Sequence, residues 1–325
     1  MAGSEVLRTA TAPGWRRVLR LPPSMVDFER RGFRTGPAQT RTVLEAAART
    51  FLDGYHAELA TRPGEPPELS AVPPDRRGFA AEGAAMAAVL LDSLRPAGAP
   101  RSAALHAAHD DRYAYLIHVG AGWALAKLRR NRLGRVGAGA PLLRWLAYDG
   151  MGFCTAFFAG PRALRRWSHH PGACPATCDI RYQGFGRALW FRACGDPSAV
   201  AASVAALPVR HRDDAWSGVA LAATYAGGVA DRTYAELYDR ASGHRDALAQ
   251  GCAFGAEAWR LCAYAPPHAA VAAEVLTGGP PERAAGWTWA ARRGLDLPGA
   301  DAGDYRAWRQ RVQATAAAVL PGRPS

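Results

Sequence analysis

The chain alternates between long apolar stretches, each broken by one or two polar residues, and shorter polar stretches rich in turn formers. "HVGAGWALA" around Gly120, "YQGFGRALW" around Gly184 and "WSGVALAAT" around Gly218 typify the apolar stretches. They are built on Ala and Gly and lack the β-branched alternation of a strand, so they read as helices packed closely on their neighbours. A motif of Gly, any residue, then Gly or Ala recurs through them. It stands at Gly83 ("AEGAAMA"), Gly120, Gly150 ("YDGMGFCTA"), Gly184, Gly218 and Gly251 ("AQGCAFGAE"), with spacings of 37, 30, 34, 34 and 33 residues. A fixed period of this length marks a repeat architecture.

The intervening segments supply a second helix per unit. "CGDPSAVAASVAAL" places Asp196 as an N-cap before Pro197 at the first helical position, and "DRTYAELYDRASGHRDAL" has the period of an amphipathic outer helix. Each unit reads as a helical hairpin, and the expected fold is all-α, with about six hairpins of about 34 residues each. "TRTVLEAAARTFLDGYHAELA" (41–61) opens the first unit and "DYRAWRQRVQATAAAVL" (304–320) closes the last. Residues 1–40, rich in Pro and Arg, are expected to form an N-terminal arm over the body, and residues 41–325 a single helical domain. An open α-solenoid of the tetratricopeptide kind shares the period, but its fixed Trp, Leu-Gly, Tyr, Ala and Pro positions are absent. A closed α/α toroid is favoured, because inner helices crowded around one axis need small residues. The G-x-G at 184–186 is not a dinucleotide loop: no third glycine follows and no β-branched run precedes it.

Composition changes this picture little. Forty basic residues against 28 acidic give a net charge of +12, which raises the question of nucleic acid. Only Lys127 is a lysine, however, and the arginines are scattered through an Ala-, Gly- and Pro-rich chain. That pattern reads as the bias of a high-GC, actinobacterial coding sequence rather than as a nucleic-acid footprint, and no nucleic-acid partner is expected. Arg16, Arg17 and Arg20 interrupt the place of a signal-peptide core, and no apolar run reaches the length of a membrane span. The expectation is a cytoplasmic protein, not integral to a membrane, with its six cysteines as buried free thiols.

The repeat concentrates polar residues. Immediately before its glycines stand Glu82, Val119, Asp149, Gln183, Ser217 and Gln250, and before those Ala81, His118, Tyr148, Tyr182, Trp216 and Ala249. Equivalent helices facing one axis would gather these into an apolar, aromatic-walled cavity with a few placed polar groups, the make-up of a small-molecule site. Glu82, His118 and Asp149 are its candidate acid–base groups, since a carboxylate in an apolar cavity has a raised pKa and histidine titrates near neutrality. Tyr148, Tyr182, Gln183, Arg187, Trp216, Ser217 and Gln250 are candidate binding residues. Arg187 lies one turn after Gln183 and would need a carboxylate such as Glu82 or Asp149. "HHPGACPATC" (169–178) and "HAAHDD" (106–111) offer imidazole, thiolate and carboxylate, but neither has paired ligand spacing, and no metal site is assigned. The residues give no indication of a cofactor. No G-x-S-x-G elbow or P-loop is present.

Several segments together, "FERRGF", "RRGFAAEGAAMAAVLLD", "YLIHVGAGWALAKL", "LLRWLAYDGMGF", "YQGFGRALWF" and "WSGVALAATYAGG", resemble the UnbL family encoded in bacterial enediyne polyketide clusters. The resemblance runs from about residue 28 to 320. The chain departs from the family pattern at Tyr182, where an acidic residue is usual, and at Cys154, where a histidine is usual. The resemblance implies an accessory role in enediyne core assembly, where a polyketide synthase makes a linear polyene that later steps desaturate and cyclise. It also implies a complex with other enediyne-cluster proteins, of the UnbU and UnbV types. The ligand would be a polyene or polyyne, isomerised or cyclised by acid–base chemistry, or held by a non-catalytic carrier or scaffold.

Overall fold

Alanine-rich segments of this length form helices because alanine loses least conformational freedom there, and tertiary burial does the rest. The computed structural model describes residues 18–62, 64–94, 100–130, 133–134, 136–137, 140–168 and 175–320. Among these residues there are fifteen α-helices and no strand. The principal ones are α2 (Ala38–Ala60), α3 (Arg77–Leu94), α5 (Ala114–Lys127), α6 (Leu146–Phe157), α8 (Thr177–Arg192), α10 (Arg212–Ala226) and α12 (Arg245–Leu261), each packed on the next. From α3 to α12 they are buried over most of their circumference. Helices buried all round are core elements.

Shorter and more exposed helices alternate with them: α4 (Arg101–Ala108), α7 (Pro161–Trp167), α9 (Pro197–Ala205), α11 (Arg232–Arg240) and α13 (Pro267–Thr277). A helix of four residues, α1 (Phe28–Arg31), precedes the stack, and α14 (Pro281–Arg292) and α15 (Ala302–Val319) follow it. The hairpin unit holds for five repeats. The unit after α5 departs from it: among the described residues there, the one helical element before α6 is a single 3₁₀ turn, Leu143–Trp145. The stretch expected as one outer helix over 231–248 is two, because Gly243 and its neighbours break it between α11 and α12. Asp196 does cap α9, accepting from the backbone N–H groups of Ser198 and Ala199, with Pro197 at the first position.

The repeat glycines explain the spacing between core helices. A Cβ built on Gly184 would lie 1.8 Å from the carbonyl oxygen of Asp149, and one on Gly218 would lie 1.8 Å from that of Gln183. The same relation holds down the stack: Gly120 abuts the Glu82 carbonyl, Gly150 that of Val119 and Gly251 that of Ser217. In each case the oxygen belongs to the residue immediately before the previous repeat glycine. The second glycine of the motif faces the other way. Gly122 abuts the carbonyl of Ala147, Gly152 that of Arg181 and Gly186 that of Ala215. Each G-x-G thus presents bare backbone to both neighbours, at separations suited to Cα–H···O contact. The ladder extends back to α2, where Gly54 meets the Ala80 carbonyl and Gly83 meets that of Phe51.

Side chains far apart in sequence meet inside the stack. Tyr225 of α10 packs on Phe79 of α3 with ring centroids 5.2 Å apart, and Phe254 of α12 packs on Trp308 of α15 at 4.5 Å. The described part of the N-terminal arm lies against α2: Tyr55 donates to the carbonyl of Leu19, and the Leu21 backbone N–H donates to His56. None of the described helices is long and apolar enough to cross a membrane. Cys154, Cys194 and Cys252 are buried free thiols and Cys262 is a partly buried one, whereas Cys178 is disulfide-bonded, which corrects the expectation for that residue.

Candidate functional site

With 3.6 residues per turn, the position before each repeat glycine and the position three after it point to one side of the helix. On α3, α5, α6 and α8 the latter position holds Met86, Trp123, Phe153 and Arg187. All four line one pocket, together with Glu82 and aromatic residues including Phe51, Phe157 and Phe191. Leu21 and Val26 of the N-terminal arm complete its wall. The pocket is narrow as it stands, a cavity of about 30 Å³ between these rings with a mouth open to solvent. Its rings are in mutual contact: Phe51 to Trp123 at 4.6 Å, Trp123 to Phe153 at 5.0 Å, and Phe153 to Phe191 at 5.6 Å. Glu82 and Arg187 are the charged residues in this lining.

These two are joined to a third. Arg187 Nη1 donates to Asp149 Oδ1 at 2.6 Å, and its Nη2 lies 3.9 Å from Glu82 Oε1. Trp123 Nε1–H donates to the same Glu82 oxygen at 3.0 Å. Asp149 is completely buried, and Glu82 and Arg187 nearly so. Burial pushes the Glu82 carboxyl up to about 7, against the pull of Arg187 and Trp123, with Asp149 adding to the rise. Burial also raises Asp149, with Arg187 opposing. For Arg187 burial works against the charge, but Asp149 and Glu82 outweigh it and the pKa is raised. The arrangement is one arginine held charged by a buried aspartate, with a second carboxyl beside it that changes protonation near neutral pH. Such a carboxyl at the base of an apolar pocket can deliver a proton.

Behind the ion pair lies a second polar region. Gln183, Ser217 and Gln250, all from the position before a repeat glycine, meet Tyr305 and Arg309 of α15 there. Ser217 Oγ–H donates to Gln250 Oε1 at 2.8 Å, Arg309 Nε donates to the same oxygen at 3.3 Å, and Arg309 Nη1 lies 2.9 Å from Asp214 Oδ1. Asp149 Oδ2, both amide atoms of Gln183, the Tyr305 hydroxyl and Gln250 Nε2 are buried without a hydrogen-bond partner among the described residues. Gln183 nevertheless interacts with both Asp149 and Tyr305.

Residues 14–316 match the profile of a family described as "Protein of unknown function (DUF1702)". The chain belongs to that family. No curated protein and no solved structure matches it.

In this DUF1702 chain the aromatic row and His118, expected in the same cavity, lie elsewhere. None of His118, Tyr148, Tyr182 and Trp216 lines the pocket. They occupy the position two before the repeat glycine, turned about 100° from the inward row. His118 is buried, with Nδ1 donating to the Ala114 carbonyl at 2.7 Å and its ring 4.9 Å from that of His106. Burial pushes it down to about 4, with His106 contributing, so it is neutral at pH 7. Tyr148 stacks on Trp145. Tyr182 stacks on His211 at 3.9 Å and donates to the Trp167 carbonyl, and Trp216 packs near His244.

Of the ligand-like clusters, His169, His170 and Cys174 lie outside the described residues. Among the described residues, Asp179, His211 and Asp214 are close enough together for a cation. Arginines already serve them: Arg306 binds Asp179 at 2.6 Å and Arg309 binds Asp214. Arg210 Nε donates to His211 Nε2 at 3.1 Å, which leaves Nδ1–H to face Asp214 at 3.1 Å. The imidazole is thus held between two arginine-bound carboxylates in an ion-pair network.

The sequence reading missed the lining residues Met86, Trp123, Phe153, Phe157 and Phe191. A signal for the first three was present: a bulky side chain three residues after the first glycine, as in "GAGW" and "GMGF".

Proposed function

We propose that this protein binds a linear polyene or polyyne intermediate in the aromatic pocket and acts on it by acid–base chemistry, as an accessory protein of enediyne biosynthesis. The observation that carries the reading is Glu82. It is a buried carboxyl with its pKa pushed up to about 7, at the base of a pocket otherwise lined by rings, aliphatic side chains and Arg187. A rigid conjugated chain gains by stacking on such rings, and a carboxylic acid beside it can protonate one carbon and then, as the carboxylate, take the proton lost from another carbon of the same conjugated system. That is isomerisation by double-bond migration, with no net change in composition. The enediyne context comes from the resemblance of the segments around Gly83, Gly120, Gly150, Gly184 and Gly218 to the UnbL family.

A non-catalytic carrier is the second reading, favoured by one observation: with His118 outside the pocket, Glu82 has no second titratable partner there apart from the Asp149 bound to Arg187. Deleting the gene in a producing organism and identifying the accumulated polyene tests the context. Incubating purified protein with that polyene separates the two readings. An enzyme converts it and loses conversion in Glu82→Gln while still binding; a carrier binds it unchanged in both. Undisturbed metabolite production after deletion would remove the proposal.

A further inference from the structure

The base of the pocket carries hydrogen-bond donors with nothing to receive them. Arg187 Nε is buried, shut off from the pocket space and without a partner among the described residues, so the arginine donor left to face a ligand is Nη2. That nitrogen reaches no closer than 3.9 Å to Glu82, while Nη1 is committed to Asp149. The guanidinium sits over the Phe153 ring, 4.9 Å from its centroid, so it is fixed in orientation by the same ring that walls the pocket. Glu82 accepts from Trp123 through Oε1, and no described residue bonds to its Oε2. An apolar ligand filling the pocket would leave these donors dry, and an unsatisfied buried polar group costs about 1–3 kcal/mol.

Charge narrows what can satisfy them. The Arg187 charge is already matched by Asp149 at 2.6 Å, and Glu82 adds a second carboxyl. A carboxylate ligand would place a second anion beside Asp149, next to the Glu82 carboxyl, against one guanidinium in a low-dielectric site. A hydrocarbon would satisfy none of the donors. A carbonyl oxygen accepts two hydrogen bonds without carrying charge.

We propose that the pocket selects a neutral conjugated chain ending in a carbonyl group, with the oxygen received by Arg187 and Glu82 and the chain lying along Phe51, Trp123, Phe153 and Phe191. The inference rests on the polyene-binding reading above and adds the chemical class of the ligand's inner end. Hydrogen bonding at the carbonyl draws electron density along the conjugated system, which makes the C–H bonds conjugated with it more acidic.

The test is binding and absorption spectroscopy on the full chain with four probes of matched length: an all-trans tetraenyl methyl ketone, the alcohol from its reduction, the tetraenoate, and the tetraene hydrocarbon. A ketone is used because Lys127, whose Nζ lies 3.8 Å over the ring of Phe158 at the pocket wall, could form an imine with an aldehyde. The ketone is expected to bind about tenfold more tightly than the hydrocarbon, the worth of one net hydrogen bond. Its absorption band should shift to the red on binding, and the tetraenoate should bind more weakly than the ketone. These comparisons need no variant to fold. A paired Arg187→Met, Asp149→Leu variant, which removes both charges together, is expected to keep hydrocarbon binding and lose the ketone advantage and the red shift. Equal binding of ketone and hydrocarbon without a spectral shift would overturn the inference, as would a preference for the tetraenoate or a ketone advantage that survives in the paired variant. Hydrocarbon binding would leave the polyene reading standing in each case, whereas no binding of any probe would overturn that reading as well.

Discussion

Glu82 and His118 stand within two residues of equivalent glycines on α3 and α5, both are buried, and their protonation moves in opposite senses. Burial favours the neutral form of each, lifting Glu82 to about 7 and lowering His118 to about 4. The difference lies in the partner. Glu82, immediately before its glycine, faces inward to Arg187 of α8 and lines the pocket. His118, one residue further back, is turned away and donates to the carbonyl of its own preceding turn. One residue of register separates a group aimed at a ligand site from one that closes a local hydrogen bond. What distinguishes the two regions is which row of the helix a residue occupies, since both groups are titratable and both are buried.

The comparison depends on register, and the glycine ladder fixes register, so its failure should have the largest effect. Gly184→Ala would drive a Cβ to 1.8 Å from the Asp149 carbonyl, which only separation of α6 and α8 can relieve. Loss of most of the stability is expected, at least about 4 kcal/mol, among the largest effects of single substitutions, measured by urea unfolding. Gly286→Ala is the control, because a Cβ there meets nothing within 4 Å, and it should be neutral or slightly stabilising.

Next in size is the ion pair at the inward row. Arg187→Met alone leaves Asp149 buried without its partner and should cost about 3–5 kcal/mol. Adding Asp149→Leu should recover most of that loss, because removing both partners of a buried pair is far less costly than removing one. A double variant no more stable than the single would mean that the pair does not act as a unit.

The pH dependence separates the two residues by sign. The native Glu82 carboxyl binds its proton more tightly than an unfolded glutamate. Its contribution to stability is therefore present in full below about pH 4.5 and is lost as pH rises towards 7. His118 binds its proton less tightly than an unfolded histidine, so its contribution is present above about pH 6.5 and is lost as pH falls towards 4. Glu82→Gln should accordingly gain on the wild type as pH rises through that window, and His118→Gln should gain as pH falls, by up to about 1.4 kcal/mol per pH unit in each case. Both slopes are read from unfolding free energies measured across pH 4–7. The smallest effect is expected at the second polar region: Ser217→Ala removes one hydrogen bond to Gln250 and should cost about 1 kcal/mol.

Helix content and the period were legible because glycine recurs wherever helix backbones touch, and no other residue fits there. The grouping of Glu82, Asp149 and Arg187 was legible for the same reason, since a shared position on equivalent helices means a shared face. Assigning His118, Tyr148, Tyr182 and Trp216 to that cavity failed because the two positions before the glycine were treated as one face, although they diverge by about 100°. The pocket's aromatic wall was present in the sequence as the position three after the glycine, but aromatic residues in apolar helices carry no mark that separates lining from core. The entry of Tyr305 and Arg309 from α15 could not be read at all, since it depends on where a helix outside the repeat packs.

Protonation of Glu82 near neutral pH is the property on which the pocket's chemistry depends. Difference infrared titration of the protonated carboxyl C=O stretch, comparing wild type with Glu82→Gln, measures it without a substrate. The subtraction removes Glu58, a second buried carboxyl raised to about 7 by burial. The account predicts a band present in the wild type and missing in the variant, lost with a midpoint near pH 7 and shifted upward when a polyene fills the pocket. A Glu82-dependent band that disappears near the ordinary carboxylate value of about 4.5, or that ignores the polyene, would contradict it.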